Sequence, residues 1–397
     1  MSNLYRSALQ ARISKLPQLP SDASEEEDVD EEDEAKSSIG ALPGRMGPPA
    51  ACASTAKAKS PNPAFAPISA SSYFASANQV AVPSRQLDFR VYYTPPASKS
   101  SKSATEDEHG ESGTVLVCHH GAGFSGLSFA CFAKEVQSLS RGALGVLALD
   151  ARRHGKTVPI DNASDEDLSV GVLAVDLVSL LQTVFPDSKK APAVLLVGHS
   201  MGGSVVVQAC PEIMAAGYSV LGVAVLDVVE GTALEALPFM NSILNARPDG
   251  FDSVEEAIEW HVKSHSIRNP TSARVSVPSI IVPSSEETGK KYVWRTPLRS
   301  TGAYWENWFT GLSSRFLATR TARLLILAGT DRLDKELMIG QMQGKFQLEV
   351  VGGGVGHVVH EDDPMRIAEI IVEFWRRNER VVLPGVKGKV IKRVGEV

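Results

Sequence analysis

Residues 193 to 203 hold the strongest chemical signal in the chain. An apolar run, Ala193-Val194-Leu195-Leu196-Val197, meets Gly198-His199-Ser200-Met201-Gly202, and Gly203 then opens a helix-like segment. This is G-x-S-x-G between a buried strand and a helix, the setting in which a serine hydroxyl is held out on a sharp turn. Glycines at both ends let strand and helix approach closely. A serine hydroxyl is a weak nucleophile at neutral pH and needs a base in contact. The pattern therefore predicts acyl transfer: Ser200 as nucleophile, a histidine base, a carboxylate orienting it, and two N–H donors for the oxyanion.

The base belongs after the last strand, where the chain reads GGGVGHVVHEDDP from 352 to 364. His357 lies nearest the strand end and is favoured. His360 is expected at the surface or at a helix start, with Glu361, Asp362 and Asp363 opening the final helix at its favourable dipole end. Two carboxylates qualify as the acid. Asp227 ends VLGVAVLD and Asp331 follows RLLILAGT. Both keep the chain order serine, acid, histidine, and spacing alone favours Asp331. For the oxyanion, the Met201 N–H follows the nucleophile. The loop His119-His120-Gly121-Ala122-Gly123-Phe124 supplies a second donor from Ala122 or Gly123. The turn Asp150-Ala151-Arg152-Arg153-His154-Gly155 is read as structural.

The elements needed to position these groups are legible as alternating periods. Strands are expected at 87–93, 114–120, 145–150, 193–198, 220–227, 323–329 and 346–351. Helices are expected at 127–139, 166–185, 202–215 and 364–378. Near-continuous apolar strands separated by helices predict an α/β fold, a mostly parallel central sheet with helices on both faces. Ligands bind outside the carboxyl ends of strands in such sheets, where every candidate sits. Residues 231 to 320 interrupt the alternation, with helices expected near 254–265 and 302–317. An α/β-hydrolase fold carries a helical lid insert at this place. Four of the five tryptophans fall there, and packing against the main domain is their expected role.

The 397 residues are 43% hydrophobic, which suits one large α/β domain with extensions. Residues 1–84 read as a largely disordered extension, acidic from 24 to 38 and then Pro/Ser/Ala-rich. Ser71-Ser72-Tyr73-Phe74 breaks that pattern and is expected at the domain edge. The hydrolase domain is expected over 85–380, with the lid at about 231–320, and a basic tail over 381–397. A net charge of −6 gives no reason to expect nucleic acid as a partner. The lack of any 18-residue apolar run gives none to expect a membrane. The N-terminal stretch lacks a signal peptide's apolar core. Cys52, Cys118, Cys131 and Cys210 have no metal-type spacing, and Cys118 and Cys210 read as apolar fillers. A cytoplasmic or nuclear location is expected.

From about Phe65 to Arg376 the chain resembles the protein phosphatase methylesterases. The stretches that carry the resemblance are LLVGHSMGGSVVV, LDVVEGTA (226–233), YWENWFTGLSSRFL (304–317), LAGTDRLDKELMIGQMQGKFQLEVV (327–351) and GHVVHEDDP (356–364). The elbow is shared by many hydrolases, whereas LDVVEGTA and TDRLDKELMIGQMQGKFQ are far more specific. The resemblance implies Asp227 as the acid, giving Ser200, Asp227 and His357. It implies demethylation of the C-terminal leucine ester of the type 2A protein phosphatase catalytic subunit, with that subunit as partner. No metal or organic cofactor is needed for such chemistry. The chain departs from the family in having Ala122 where glycine is usual. Two other readings remain beside it: a phosphatase-binding inhibitory module, and a small-ester hydrolase of the same fold.

Overall fold

In the computed structural model the described residues are 60–97, 113–285, 289–329 and 333–379. The acidic extension, Cys52, most of the 97–113 loop, Asp331 and the basic tail lie outside them. The strand-like runs pair into one sheet. Its strands are β1 (Ser76–Val82), β2 (Leu87–Thr94), β3 (Thr114–His119), β4 (Leu144–Leu149), β5 (Val158–Pro159), β6 (Ala193–His199) and β7 (Val220–Leu226). After the short strands β8 (Gly250–Phe251), β9 (Ile281–Pro283) and β10 (Tyr292–Trp294), β11 (Ala322–Leu327) and β12 (Gln347–Val350) complete it. The order is β1-β2-β4-β3-β6-β7-β11-β12, with β5 beside β2. From β4 to β12 the pairing is parallel, and β1 and β2 are antiparallel additions at one end.

Two-residue periodicity distributes the central strands between two cores. Val115, Val117, Leu147, Leu149, Leu196 and Val225 face one side. They pack against α2 (Val170–Val184) and α3 (Met201–Ala215), the helices of that face. Leu116, Cys118, Val146, Ala148, Val197 and Ala224 face the other side, against α1 (Ala130–Leu139) and α11 (Pro364–Asn378). Both faces are buried, so the strands read as continuous apolar runs. Cys118 and Cys210 sit in these cores. Phe74 is buried too, its ring 5.6 Å from that of Tyr92.

Between β7 and β11 lie α4 (Glu230–Asn245), α5 (Val254–Lys263), α6 (Pro270–Ser276), α7 (Trp305–Phe309) and α8 (Leu312–Ala318), with a separate sheet of order β8-β10-β9. The insert has two anchorages. Trp305 and Trp308 join the main core, and the Trp308 indole N–H donates to the Leu168 carbonyl at 2.7 Å. Trp260 and Trp294 pack around Phe251 in a smaller core of their own. The remaining helices are α9 (Lys335–Met342) and α10 (Val359–Asp362). Among the described residues no helix is long and apolar enough to cross a membrane.

The structure departs from the sequence reading in several elements, α4 and the strands β8 to β10 among them, and three have an evident physical reason. Strand β1, with four outward polar or small residues, is an edge strand whose pattern is too weak to stand out. The expected helix at 166–185 starts only at Val170, because Asn307 of α7 accepts from the Val170 N–H at 2.8 Å. The expected helix at 302–317 breaks into a 3-10 turn (Leu298–Tyr304), α7 and α8, with Gly311 at φ 75° between the last two.

Backbone crowding where β6 turns into α3 makes a direct test possible. A Cβ on Gly202 would overlap the carbonyl oxygens of His119 and His120, whereas one on Gly171, in α2, would meet nothing within 4 Å. Gly202→Ala is expected to lose about 2 kcal/mol or more of unfolding free energy through overpacking. Gly171→Ala is expected to gain roughly 0.5–1 kcal/mol through helix propensity. Urea unfolding of the two variants checks both signs.

Candidate active site

The elbow begins as a steric problem. Gly198 and Gly202 pass so close that a Cβ on Gly198 would run into the Gly202 carbonyl. The chain resolves this by holding Ser200 at φ 52°, ψ −119°, a strained conformation for a residue with a side chain. The Ser200 N–H donates to the Leu226 carbonyl at 3.0 Å, tying the turn to the end of β7. Ser200 is thereby presented at the carboxyl edge of the sheet, on the wall of a cavity of about 180 Å³.

Asp227 follows β7, next to β6 in the sheet. Its N–H donates to the Ile326 carbonyl at 2.7 Å and its φ is 51°. Its Oδ1 accepts from the Ala328 N–H at 2.7 Å, and its Oδ2 is 2.8 Å from His357 Nδ1. With Nδ1–H donating to the carboxylate, His357 Nε2 is left as the proton acceptor. The carboxylate is buried, its side chain 8% exposed, while the imidazole is 28% exposed and reaches the same cavity as Ser200.

The loop carrying His357 is held from both ends. The Gly356 N–H donates to Asp362 Oδ2 at 2.6 Å, the Arg268 N–H donates to Oδ1 at 2.7 Å, and the Arg268 guanidinium pairs with the same carboxylate at 3.0 Å. On the other side, His199 Nε2–H donates to the His357 carbonyl at 2.9 Å. His199 is thus the first element of the elbow and a support for the base.

The two oxyanion options separate here. The Gly123 N–H donates to His154 Nε2 at 3.0 Å and is directed away from the cavity. The expectation that Gly123 is an alternative donor is therefore corrected, because its amide is already committed. Ala122 and Met201 both line the cavity. The DARRHG turn holds this loop. Asp150 accepts from the Gly126 and Lys156 N–H groups, His154 receives Gly123, and Arg152 pairs with buried Asp176.

His360 stands at the start of a short helix, one of its two expected places, while Glu361 lies within that helix instead of opening the final one. Neither is at the surface: both are fully buried, in a short helix packed under α1. The His360 ring stacks on Phe129 at 4.2 Å and its Nε2 is 3.2 Å from Ser128 Oγ. Of the acidic trio only Asp363 caps α11, accepting from the Arg366 N–H. Six histidines are held toward the neutral form. His120 and His154 each donate Nδ1–H to a carbonyl and accept a backbone N–H at Nε2. Protonation would set N–H against N–H. Burial pushes His119 and His154 down to about 4 and His360 and His261 down to about 3, and His120 and His199 well below the usual range.

Sequence reasoning missed the apolar wall opposite Ser200. It is built by α4 through Thr232, Ala233, Leu237 and Met240, closed by Trp305 and Trp308. Glu230, at the start of α4, fixes that wall by accepting from the Gly311 and Ser313 N–H groups at 2.7 and 2.9 Å. The only hint in sequence was the tryptophan enrichment of the segment.

Residues 116–370 match a family described as "Alpha/beta hydrolase family". The chain is 47% identical to "Protein phosphatase methylesterase 1" of Cryptococcus neoformans var. neoformans serotype D, covering 100% of both. It is 46% identical to the protein of the same name from Aspergillus oryzae, over 76% of this chain and 69% of that one. Among solved structures, an E-2-(acetamidomethylene)succinate hydrolase superposes with a TM-score of 0.57 at 18% identity, covering 76% of this chain and 99% of that one. An M. tuberculosis esterase superposes at 0.53 and 17% identity, covering 76% and 92%. At those identities the likeness concerns the fold.

The neutral histidines set a pH dependence. Six of them (His119, His120, His154, His199, His261 and His360) have folded values below the unfolded value of about 6.5. Their stabilisation is complete above that value and is lost as pH falls through it. Asp150, pushed up to about 6 by burial, Glu361, pushed well above the usual range, and Asp362, also raised by burial, act in the opposite sense. The histidines outnumber them, so unfolding takes up protons as pH falls below the unfolded histidine value. Urea midpoints measured from pH 8 to 5 should fall accordingly, and a flat profile contradicts the neutral assignment.

Proposed function

The chain belongs to the protein phosphatase methylesterase family of α/β-hydrolases, carboxylic ester hydrolases, and we propose that it demethylates the C-terminal leucine ester of a type 2A protein phosphatase catalytic subunit. The observation that carries this reading is the 2.8 Å contact between His357 Nδ1 and Asp227 Oδ2, on the wall of the cavity that also receives Ser200. The chain's match along its full length to relatives bearing that name supports the choice of ester.

In this reading Ser200 Oγ attacks the leucine ester carbonyl and its proton passes to His357 Nε2. Asp227 holds the ring and stabilises the imidazolium. The Ala122 and Met201 N–H groups take up the negative charge on the carbonyl oxygen. The C–O bond to the methyl-bearing oxygen breaks, and methanol leaves with the proton from His357. Water, deprotonated by His357, then attacks the acyl-enzyme, giving free carboxylate and restoring Ser200. Alanine at position 122 keeps its N–H, so the departure from glycine leaves the donor in place. Leucine suits the apolar wall of α4, Trp305 and Trp308.

A folded protein substrate needs a surface as well as a pocket. The tryptophans of the insert are buried or half-buried, so they do not supply it. Helix α9 does present apolar side chains: Met338 is 50%, Ile339 45% and Met342 82% exposed. Exposed apolar clusters of this kind mark protein contacts, and we place the phosphatase there.

Methanol release from carboxymethylated phosphatase catalytic subunit tests the reading. Ser200→Ala and Asp227→Asn are each expected to reduce kcat by about 10⁴-fold or more, and Asp331→Asn to leave it within about twofold. Ser200→Ala should still bind the phosphatase. Hydrolysis of small esters without methanol release from the phosphatase overturns the substrate assignment and favours the small-ester hydrolase.

A further inference from the structure

Behind His357 lies a second, smaller cavity, of about 70 Å³, which shares His357 and Phe124 with the main one. Its walls include Arg247, His261, Ser264 and Ser266. The Arg247 guanidinium lies flat over Trp294, 3.9 Å from the ring centroid. Among the described residues no carboxylate pairs with it, and the charged group nearest in effect is another cation, Arg299. The guanidinium is half-buried against Trp294 with no carboxylate partner among the described residues, so an anion entering the chamber would meet an uncompensated cation.

His261 adds a second, complementary requirement. It is 1% exposed, and its Nδ1–H donates to the Ala257 carbonyl at 2.7 Å. Its Nε2 is therefore an acceptor, and among the described residues it is buried with no donor. Phe251, Trp260 and Trp294 pack around the ring, their centroids 6.5, 4.9 and 5.5 Å from its own. The ligand that satisfies both groups carries an anion and an N–H donor a few ångströms apart. A simple anion lacks the donor, and an apolar side chain satisfies neither. An aspartate or glutamate within a peptide has both, the carboxylate on its side chain and the donor in its backbone.

We propose that this chamber is a subsite for an acidic residue of the peptide that carries the ester, its carboxylate paired with Arg247 and a peptide N–H donating to His261 Nε2. The inference rests on the reading above that a peptide ester reaches Ser200. Because the two cavities meet at His357, the acidic residue and the ester are gripped on either side of the base. Arg247 would then select substrates by charge without touching the reacting atoms.

The experiment uses the full chain and synthetic hexapeptide methyl esters ending in leucine, with one aspartate moved through the upstream positions and asparagine as the uncharged control. The wild type is expected to prefer aspartate at one position by roughly 10- to 100-fold in kcat/KM, the range of a charge-assisted hydrogen bond, with the effect in KM. Arg247→Gln should reduce the preference to within about twofold, and Arg247→Lys should retain part of it. Melting temperatures check that the variants fold. The proposal is overturned if the wild type shows no positional preference, or if Arg247→Gln keeps it. Failure of the wild type to hydrolyse any peptide ester sinks the methylesterase reading separately. Anisotropy binding of the same labelled peptides as free acids then decides: dependence on both aspartate and Arg247 supports the subsite, and its absence refutes it.

Discussion

The contact on which the site depends is backbone against backbone, where β6 turns into α3. Gly202 passes against the carbonyls of His119 and His120, and Gly198 against Gly202. No side chain fits at either position. That closeness forces Ser200 into its positive φ, and it brings β3 and its following loop to the same edge as the nucleophile. Ala122 and Met201 line one cavity because the strands they follow are sheet neighbours. A looser turn would leave the serine on an ordinary helix start, without a second donor beside it.

Around this turn the protein uses histidine as a neutral, bifunctional strut. His120, His154 and His199 are buried, and each ring donates one N–H to a carbonyl. In His120 and His154 the second nitrogen accepts a backbone amide. An imidazole suits loops that no strand can pair, since it satisfies a donor and an acceptor about two bond lengths apart. His357 differs from these rings in its partner and exposure. It faces a carboxylate and an open cavity, so one residue type serves as scaffold here and, in the proposed reaction, as proton carrier.

The insert between β7 and β11 works as a partition. Through Trp305, Trp308 and Glu230 it belongs to the main core; through Trp260, Trp294 and the β8-β10-β9 sheet it has its own. The apolar cavity lies against the first anchorage and the chamber with Arg247 against the second, with His357 between them. Two anchorages explain how one segment builds two neighbouring spaces.

Much of this was legible in the residues. Continuous apolar runs at 114–120, 145–150, 193–198 and 220–227 required a sheet buried on both faces, and G-x-S-x-G between a run and a helix located Ser200. The position of His357 followed from the last strand. Local pattern could not choose between Asp227 and Asp331, since both end apolar runs, and only the resemblance favoured Asp227. It could not tell that His360 and Glu361 are buried, because a charged pair beside a helix start reads as solvated until another helix covers it. Nor could it assign the Ala122 and Gly123 amides, as backbone N–H groups carry no sequence signature and their direction depends on His154, thirty-odd residues away. The sequence by itself determined the strand and helix periods and the serine held at the strand-to-helix turn, because those depend on neighbours along the chain. Only the tertiary structure decided that Asp227 meets His357, that the Gly123 amide is taken by His154, and that Arg247 and His261 share a chamber, because those depend on distances between segments whose separation in sequence says nothing of their separation in space.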